Sequence, residues 1–519
     1  MQKNNKCLTH LMAAFFTLLL AVAGCGGGSS PGSSGSSNGP AAIADNSMPD
    51  GENGGGSDNN SGDENGDSET RAAPPPPICQ PANAGSPANL IGPIESDPPG
   101  SMSRNHPFVA TELDLAAKGY IEEEYFFCGF AASQAGTYAT RMIVRRPINN
   151  SDFSGNVFAE WINVTSLTDL EIFWSHSFEH LMREGHIYVG ISAQRGGYYP
   201  APRGLAHFSP IRYGQFHWPG GHANGAHDFI TDPAAHDIYA QGLALLKADN
   251  GPLADFSVQR LIATGGSQSS VTLQTYYQQT HPTTRHADAF LLLILSSASA
   301  GDHPVDVLPP DTTATVGTPI LQINSETDTD FSRKPDSSTY VLWEVAGTSH
   351  YDFDECEHET PLWLRDLDED IKGLITDCDL PALSRIPFKH TMNAGMEHVI
   401  TWLKDGTVPP SQPRFQFGLF SGQPERDERG NVLGGIRLPE HAVSVATNSR
   451  NNTPSGCFLY GSSVPFDDET LRQLYPTQQD YLTAFDAAAD AAVSAGVLLP
   501  PDAAASKAQA RQRDIPPSL

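Results

Sequence analysis

From about Ile78 to the C-terminus, short β-rich runs alternate with helical runs. That is the pattern of an α/β fold with a largely parallel sheet. Tyr120 to Phe130 and Thr137 to Arg146 predict two strands joined by a Gly-containing turn, and NVFAEWINV (Asn156 to Val164) predicts a third. Thr168 and Glu171 stand at capping-box spacing and predict a helix start, with Gly185 as its stop. His186 to Ser192 is an apolar strand, and the Gly-, Pro-, His- and Tyr-rich stretch from Arg195 to Phe229 reads as a long excursion. Asp232 and Pro233 open another helix, with Gly251 past its end. Arg260 to Thr264 is a strand that runs through two glycines into a helix reaching toward Thr280. Ala289 to Leu295 is apolar on both faces, as a central parallel strand must be. Pro319 to Asn324 and Tyr340 to Ala346 are two more strands, and Met392 to Lys404 a helix ended by Gly406. The tail carries turn-like pieces (Asp427 to Leu438) and then Ala-rich helix, which periodicity does not place.

Before Ile78 the periodicity disappears, and two segments of different composition replace it. Lys3 and Lys6 precede an apolar run from Leu11 to Val22, too short to span a bilayer comfortably. Val22-Ala23-Gly24-Cys25 follows and resembles the lipobox of bacterial lipoproteins. The resemblance implies cleavage after residue 24 and lipidation of Cys25, and so export to the cell envelope, with Gly26 hinting at the outer membrane. Residues 25–77 are Gly, Ser, Asn and acidic residues followed by a Pro run. Such a segment buries too little apolar surface to offset chain entropy, and it predicts a tether. Residues 78–519 are then the folded domain with its insertions and C-terminal extension.

The chain of 519 residues carries a formal charge of −29, which repels phosphate backbones and argues against a nucleic-acid partner. The domain's cysteines are Cys79, Cys128, Cys356, Cys378 and Cys457, an odd number in a compartment that permits disulfides. Cys356 and Cys378 flank one insertion and are expected to pair, with Cys79 and Cys128 as a second pair.

Chemistry enters at Gly265-Gly266-Ser267-Gln268-Ser269. A G-x-S-x-G string means little alone, and the tether contains one at Gly28 to Gly32. At Ser267 it sits between a strand and a helix, where a sharp turn can hold the hydroxyl at the strand's carboxyl end. The helix N-terminus would then favour a developing oxyanion. A serine nucleophile needs a base and an acid to orient that base. Downstream, one strand runs into Ser325-Glu326-Thr327-Asp328 and the next into Gly347-Thr348-Ser349-His350. Nucleophile, acid and histidine therefore fall at the carboxyl ends of three strands.

The segments GYIEEEYFFCGFA, RMIVRRP, NVFAEWINV, GISAQRGG, GGSQSS, SETDTD, LWEVAGTSHYD, WLKDGTVPP and GNVLGGIRLP resemble the α/β-hydrolase superfamily, and within it a bacterial family known as alpha/beta hydrolase domain proteins. The resemblance covers about residues 88 to 490. It implies an eight-stranded, mostly parallel sheet, a Ser-His-acid triad and no cofactor. It gives Ser267 as nucleophile, His350 as base and an acid in the Glu326–Asp328 segment. The superfamily spacing favours Asp328, with Glu326 as the alternative. Gln268 should donate one oxyanion N–H, and the loop near Val164 or Thr165 the other. The implied activity is serine-dependent ester hydrolysis on a small-molecule ester, with an acyltransferase or a non-catalytic surface-binding lipoprotein as alternatives. A peptidase is less expected, since no propeller-like repeat is visible.

No metal site is expected. His217, His222 and His227 have no clear carboxylate partner, and the acidic run Asp352, Asp354, Glu355, Glu357 and Glu359 lacks EF-hand spacing and reads as a solvated loop. The anchor can be tested directly: Cys25→Ser should move the protein from the membrane fraction to the soluble one. Retention on membranes after a high-salt wash would refute lipidation.

Overall fold

The computed structural model describes residues 72–221, 232–295, 316–329, 333–418, 422–454 and 456–517. The targeting segment, Cys25, most of the tether, and His222 and His227 lie outside the described residues. No described helix is long and apolar enough to cross a membrane.

The sheet is built from β1 (Asn89–Ile91), β2 (Tyr120–Ala131), β3 (Gly136–Pro147), β4 (Asn156–Trp161), β5 (Ile187–Ile191), β6 (Arg260–Gly266), β7 (Ala289–Leu293), β8 (Ile320–Ser325) and β9 (Tyr340–Val345). Its order is β1-β2-β3-β5-β4-β6-β7-β8-β9. The β1–β2, β2–β3 and β3–β5 pairings are antiparallel, and all others are parallel. The expected eight strands are β2 to β9, and β1 adds a three-residue edge. In the β2–β3 hairpin, Glu122 faces Arg145 and Glu123 is two strand positions from Arg145's neighbour Arg146, with ion-pair contacts of 2.7 and 2.9 Å.

A parallel strand must be covered on both faces, and alternate residues here feed two cores. Ala159, Trp161, Ala263, Phe290 and Leu292 pack with Ile238 and Leu243 of α2 (Pro233–Leu246) and Leu273 of α3 (Gln268–Gln279). Phe158, Ile262, Leu291, Ile323 and Trp343 pack with Phe173 and Trp174 of α1 (Ile172–Glu184), and with Met392 and Val399 of α5 (Phe388–Asp405). Between α3 and α5 runs α4 (Phe353–Leu367), and beyond α5 run α6 (Gln478–Ser494) and α7 (Pro500–Arg511). Ala489, Ala492 and Ala503 of α6 and α7 join the second core, so the Ala-rich tail is part of the domain. Ile436 bridges Val345 in parallel, carrying the pairing one step past β9.

Three sequence expectations are corrected. First, α1 starts at Ile172 rather than Thr168, because a buried carboxylate from β4 replaces the local capping box. Glu160 accepts from Phe173 N at 2.8 Å and Trp174 N at 3.4 Å, while Thr168 Oγ1 donates to Arg203 O. Burial pushes the Glu160 carboxyl up to about 8. Second, Asp352 to Glu359 is not a solvated loop. Asp352 caps α4 by accepting from Glu355 N, and the amphipathic turn puts Glu355 and Glu359 inside and Glu357 outside. Third, Cys356 and Cys378 are not paired. That same turn buries Cys356 on α4 beside Thr360, and it is a free thiol. Cys378 instead bonds Cys457, and Cys79 bonds Cys128.

The Cys378–Cys457 bond closes a separation of 79 residues and ties the segment after α4 to the tail. Its loss in Cys457→Ser should lower stability by about 2–4 kcal/mol. Non-reducing peptide mapping should link Cys378 to Cys457 and leave Cys356 alkylated only after denaturation; a Cys356–Cys378 peptide would contradict this arrangement.

Candidate active site

At the carboxyl end of β6 the chain turns straight into α3. Ser267 takes that turn with φ 58° and ψ −125°, a conformation costly for a residue with a Cβ, and makes no cap bond to its own helix. The flanking glycines explain how the turn closes. A Cβ on Gly266 would lie 2.6 Å from Ile172 Cγ2, and one on Gly265 would lie 3.0 Å from Ser269 Oγ.

Ser269 does more than stay small. Its hydroxyl donates to Gly266 O at 2.8 Å and accepts from Gly266 N at 3.0 Å, staple-like across the turn. Ser270 accepts from Leu293 N at 3.0 Å, fixing the helix start to β7. Neither role is legible in the sequence, since both depend on backbone brought to the serines by the turn and by β7.

The loop after β4 approaches the same turn through Asn163. Its Nδ2 donates to Gly266 O at 2.9 Å, and its Oδ1 accepts from Thr165 N at 2.8 Å. Thr165 N is therefore occupied. Val164 N and Gln268 N have no hydrogen-bond acceptor among the described residues, so these two remain as candidate donors. Gln268's side chain is held by Thr272 Oγ1 at 2.8 Å.

The other two loops lie at the ends of β8 and β9. Asp328, buried, meets His350 directly: Oδ1 lies 2.7 Å from Nδ1. The second oxygen, Oδ2, accepts from Ser325 Oγ at 2.5 Å. A carboxylate held at both oxygens fixes the plane of the imidazole beside it. His350 is partly exposed, and its Nε2 has no partner among the described residues. No hydrogen bond joins it to Ser267 in this state.

Glu326 points elsewhere. It is fully buried, pairs with Arg426 Nη2 at 2.5 Å, and accepts from Gly347 N at 3.2 Å. Burial pushes its carboxyl up, and Arg426 partly reverses that shift. Gly347 has φ 76° and no room for a side chain, since a Cβ would lie 2.7 Å from His441 Cδ2. Glu326 thus braces the turn that delivers His350 without touching the imidazole. Arg426 was missed in the sequence because it lies 100 residues from its partner, in the tail that periodicity left unplaced.

The alpha/beta hydrolase domain family matches residues 92–508. No curated protein matches the chain. Among solved structures, a prolyl endopeptidase is similar at 12% identity and a TM-score of 0.25, covering 44% of this chain and 35% of its own. The esterase Est22 is similar at 12% identity and a TM-score of 0.26, covering 40% and 64%. An α/β serine hydrolase without a lid from Xanthomonas campestris is similar at 11% identity and a TM-score of 0.25, covering 41% and 80%. The chain thus spans about a third of the prolyl endopeptidase and just under two thirds of the esterase. The family match takes in strands β2 to β9, the Ser267 turn and both loops that carry Asp328 and His350, and the chain belongs to the alpha/beta hydrolase domain family.

Proposed function

We propose that the protein is a serine-dependent carboxylic-ester hydrolase in which Ser267 is the nucleophile, His350 the base and Asp328 the acid. The observation that carries this reading is the 2.7 Å contact of Asp328 Oδ1 with His350 Nδ1. A carboxylate at Nδ1 keeps the proton there and leaves Nε2 as the acceptor, the tautomer a base needs. Ser267 stands at the carboxyl end of a strand of the same sheet, in the strained turn that exposes a nucleophile.

The chemistry follows. As the Ser267 oxygen attacks the ester carbonyl, its proton passes to His350 Nε2. The Asp328 carboxylate stabilises the imidazolium. Gln268 N–H and Val164 N–H donate to the tetrahedral oxyanion, and the alcohol leaves with the proton from His350. Water, deprotonated by the same nitrogen, then releases the acid and restores Ser267. The Ser267–His350 hydrogen bond forms when substrate closes the site, as catalytic contacts often tighten only in the complex. Cys25 would anchor this domain to the envelope through residues 25–77.

Ser267→Ala should lower hydrolysis of p-nitrophenyl esters by a factor on the order of 10⁶. A folded variant keeping more than roughly a tenth of the activity would overturn the nucleophile assignment; complete loss of a triad nucleophile does not permit that.

The acid is tested by an isosteric pair. Asp328→Asn should cost about 10⁴ in turnover with the fold intact, because the imidazole then loses its tautomer. Glu326→Gln should act mainly on stability, by up to about 3–5 kcal/mol, since it leaves Arg426 without its buried partner. Measuring kcat and the unfolding midpoint for both variants separates the roles. A larger kcat loss in Glu326→Gln would move the acid to Glu326.

A further inference from the structure

His176 of α1, Asp352 at the N-cap of α4 and Glu355 in its first turn are all buried, and one ligand atom from each lies within 4.8 Å of the others. The distances are those of loose ion pairs. His176 Nε2 is 3.5 Å from Asp352 Oδ1 and 3.9 Å from Glu355 Oε2. Two oxygens of the cluster, Asp352 Oδ2 and Glu355 Oε2, are buried with no hydrogen-bond partner. Orphaned carboxylate oxygens at this depth are costly and call for an ion.

The imidazole is oriented as a ligand. His176 Nδ1 lies 2.9 Å from Ile172 O, and donating there leaves Nε2 with its lone pair toward the carboxylates. With metal–ligand bonds of about 2.0–2.2 Å, tetrahedral ligands stand about 3.3–3.6 Å apart, close to the spacing seen. The surrounding charge has the required sign. Glu359, Glu160 and Asp354 face the cluster, and Lys389 is already shared between Asp354 and Glu179. The pocket attracts positive charge.

We infer that His176, Asp352 and Glu355 form a binding site for a divalent transition metal of the zinc type. An imidazole with two carboxylates suits such an ion better than calcium, which prefers six or more oxygens. Asp352 lies two residues past His350, so the ion would pin the histidine loop to α1 and α4. It positions His350 and takes no part in the reaction.

A second cluster in the fold serves as an internal control. His180 and His186 converge on Glu397 at 3.1 and 3.2 Å. There the second nitrogens are taken by Arg183 and Ser154, and Arg183 brings a guanidinium to within 2.8 Å of His180 Nδ1. A cation donating to the ligand itself disfavours a metal.

The test is zinc titration of the chelator-stripped full chain, followed by calorimetry and elemental analysis. The wild type should take up about one zinc ion, the number one closed site holds, and its thermal midpoint should rise. Glu355→Gln and His176→Gln should weaken zinc binding by about a hundredfold or more, and Glu397→Gln should leave it unchanged. Diffraction at the zinc edge from wild-type crystals should put the anomalous peak among the three side chains, a readout that holds even if a variant fails to fold. No zinc uptake by the wild type, an anomalous peak elsewhere, or loss of binding in Glu397→Gln but not in Glu355→Gln overturns the site.

Discussion

A parallel strand has no face to spare for water, and this constraint organises the domain. Every residue of β4, β5, β7, β8 and β9 is buried. Helices must therefore lie on both sides, and α2 and α3 cannot do the work of α1 and α5. Since both faces of these strands are closed, what the described residues leave open there is the strand ends. Polar chemistry is confined there: Ser267, Asp328 and His350 all lie just past strand ends, on loops whose backbone need not be covered.

The same constraint explains the unusual density of buried charge. On the β3 side, Arg141 is held by Glu124 at 3.0 Å and Asp169 at 2.8 Å, and Arg145 by Glu122 and Glu171 while stacking on Trp174. Arg145 lies under Trp174 at the start of α1, and Arg141 under Tyr213. A buried ion pair contributes little net stability, but removal of one partner leaves an uncompensated charge that costs about 3–5 kcal/mol. Asp169 belongs to the same β4 loop whose Asn163 donates to Gly266 O at the Ser267 turn.

How much of this was legible in the sequence depends on the distance over which each feature is decided. Strand and helix identities came from local periodicity, and the structure places β4 to β9 within a few residues of the expected spans. The Ser267 turn was readable because two glycines and a serine between a strand and a helix carry their own geometry. Asp328 and Glu326 could not be separated by periodicity, since they lie two residues apart; their partners separate them, His350 and Ser325 for one, Arg426 and Gly347 for the other. The α1 cap failed because Glu160, eleven residues upstream of Glu171, outcompeted a local signal. The cysteine pairing failed for a related reason. Chain proximity favours Cys356 with Cys378, but the helical phase of α4 turns Cys356 inward and leaves Cys378 to meet the tail.

That tail also sets the order in which the site can be completed. Arg426 meets Glu326 and Ile436 meets Val345, so residues synthesised about a hundred positions later brace the turn that delivers His350. The strand, turn and helix around Ser267 all precede these residues in the chain. The loops that carry Asp328 and His350 gain these contacts only from the last fifth of the chain. A chain cut short of Arg426 and Ile436 therefore keeps every residue of the Ser267 turn and loses the contacts that brace the turn carrying His350.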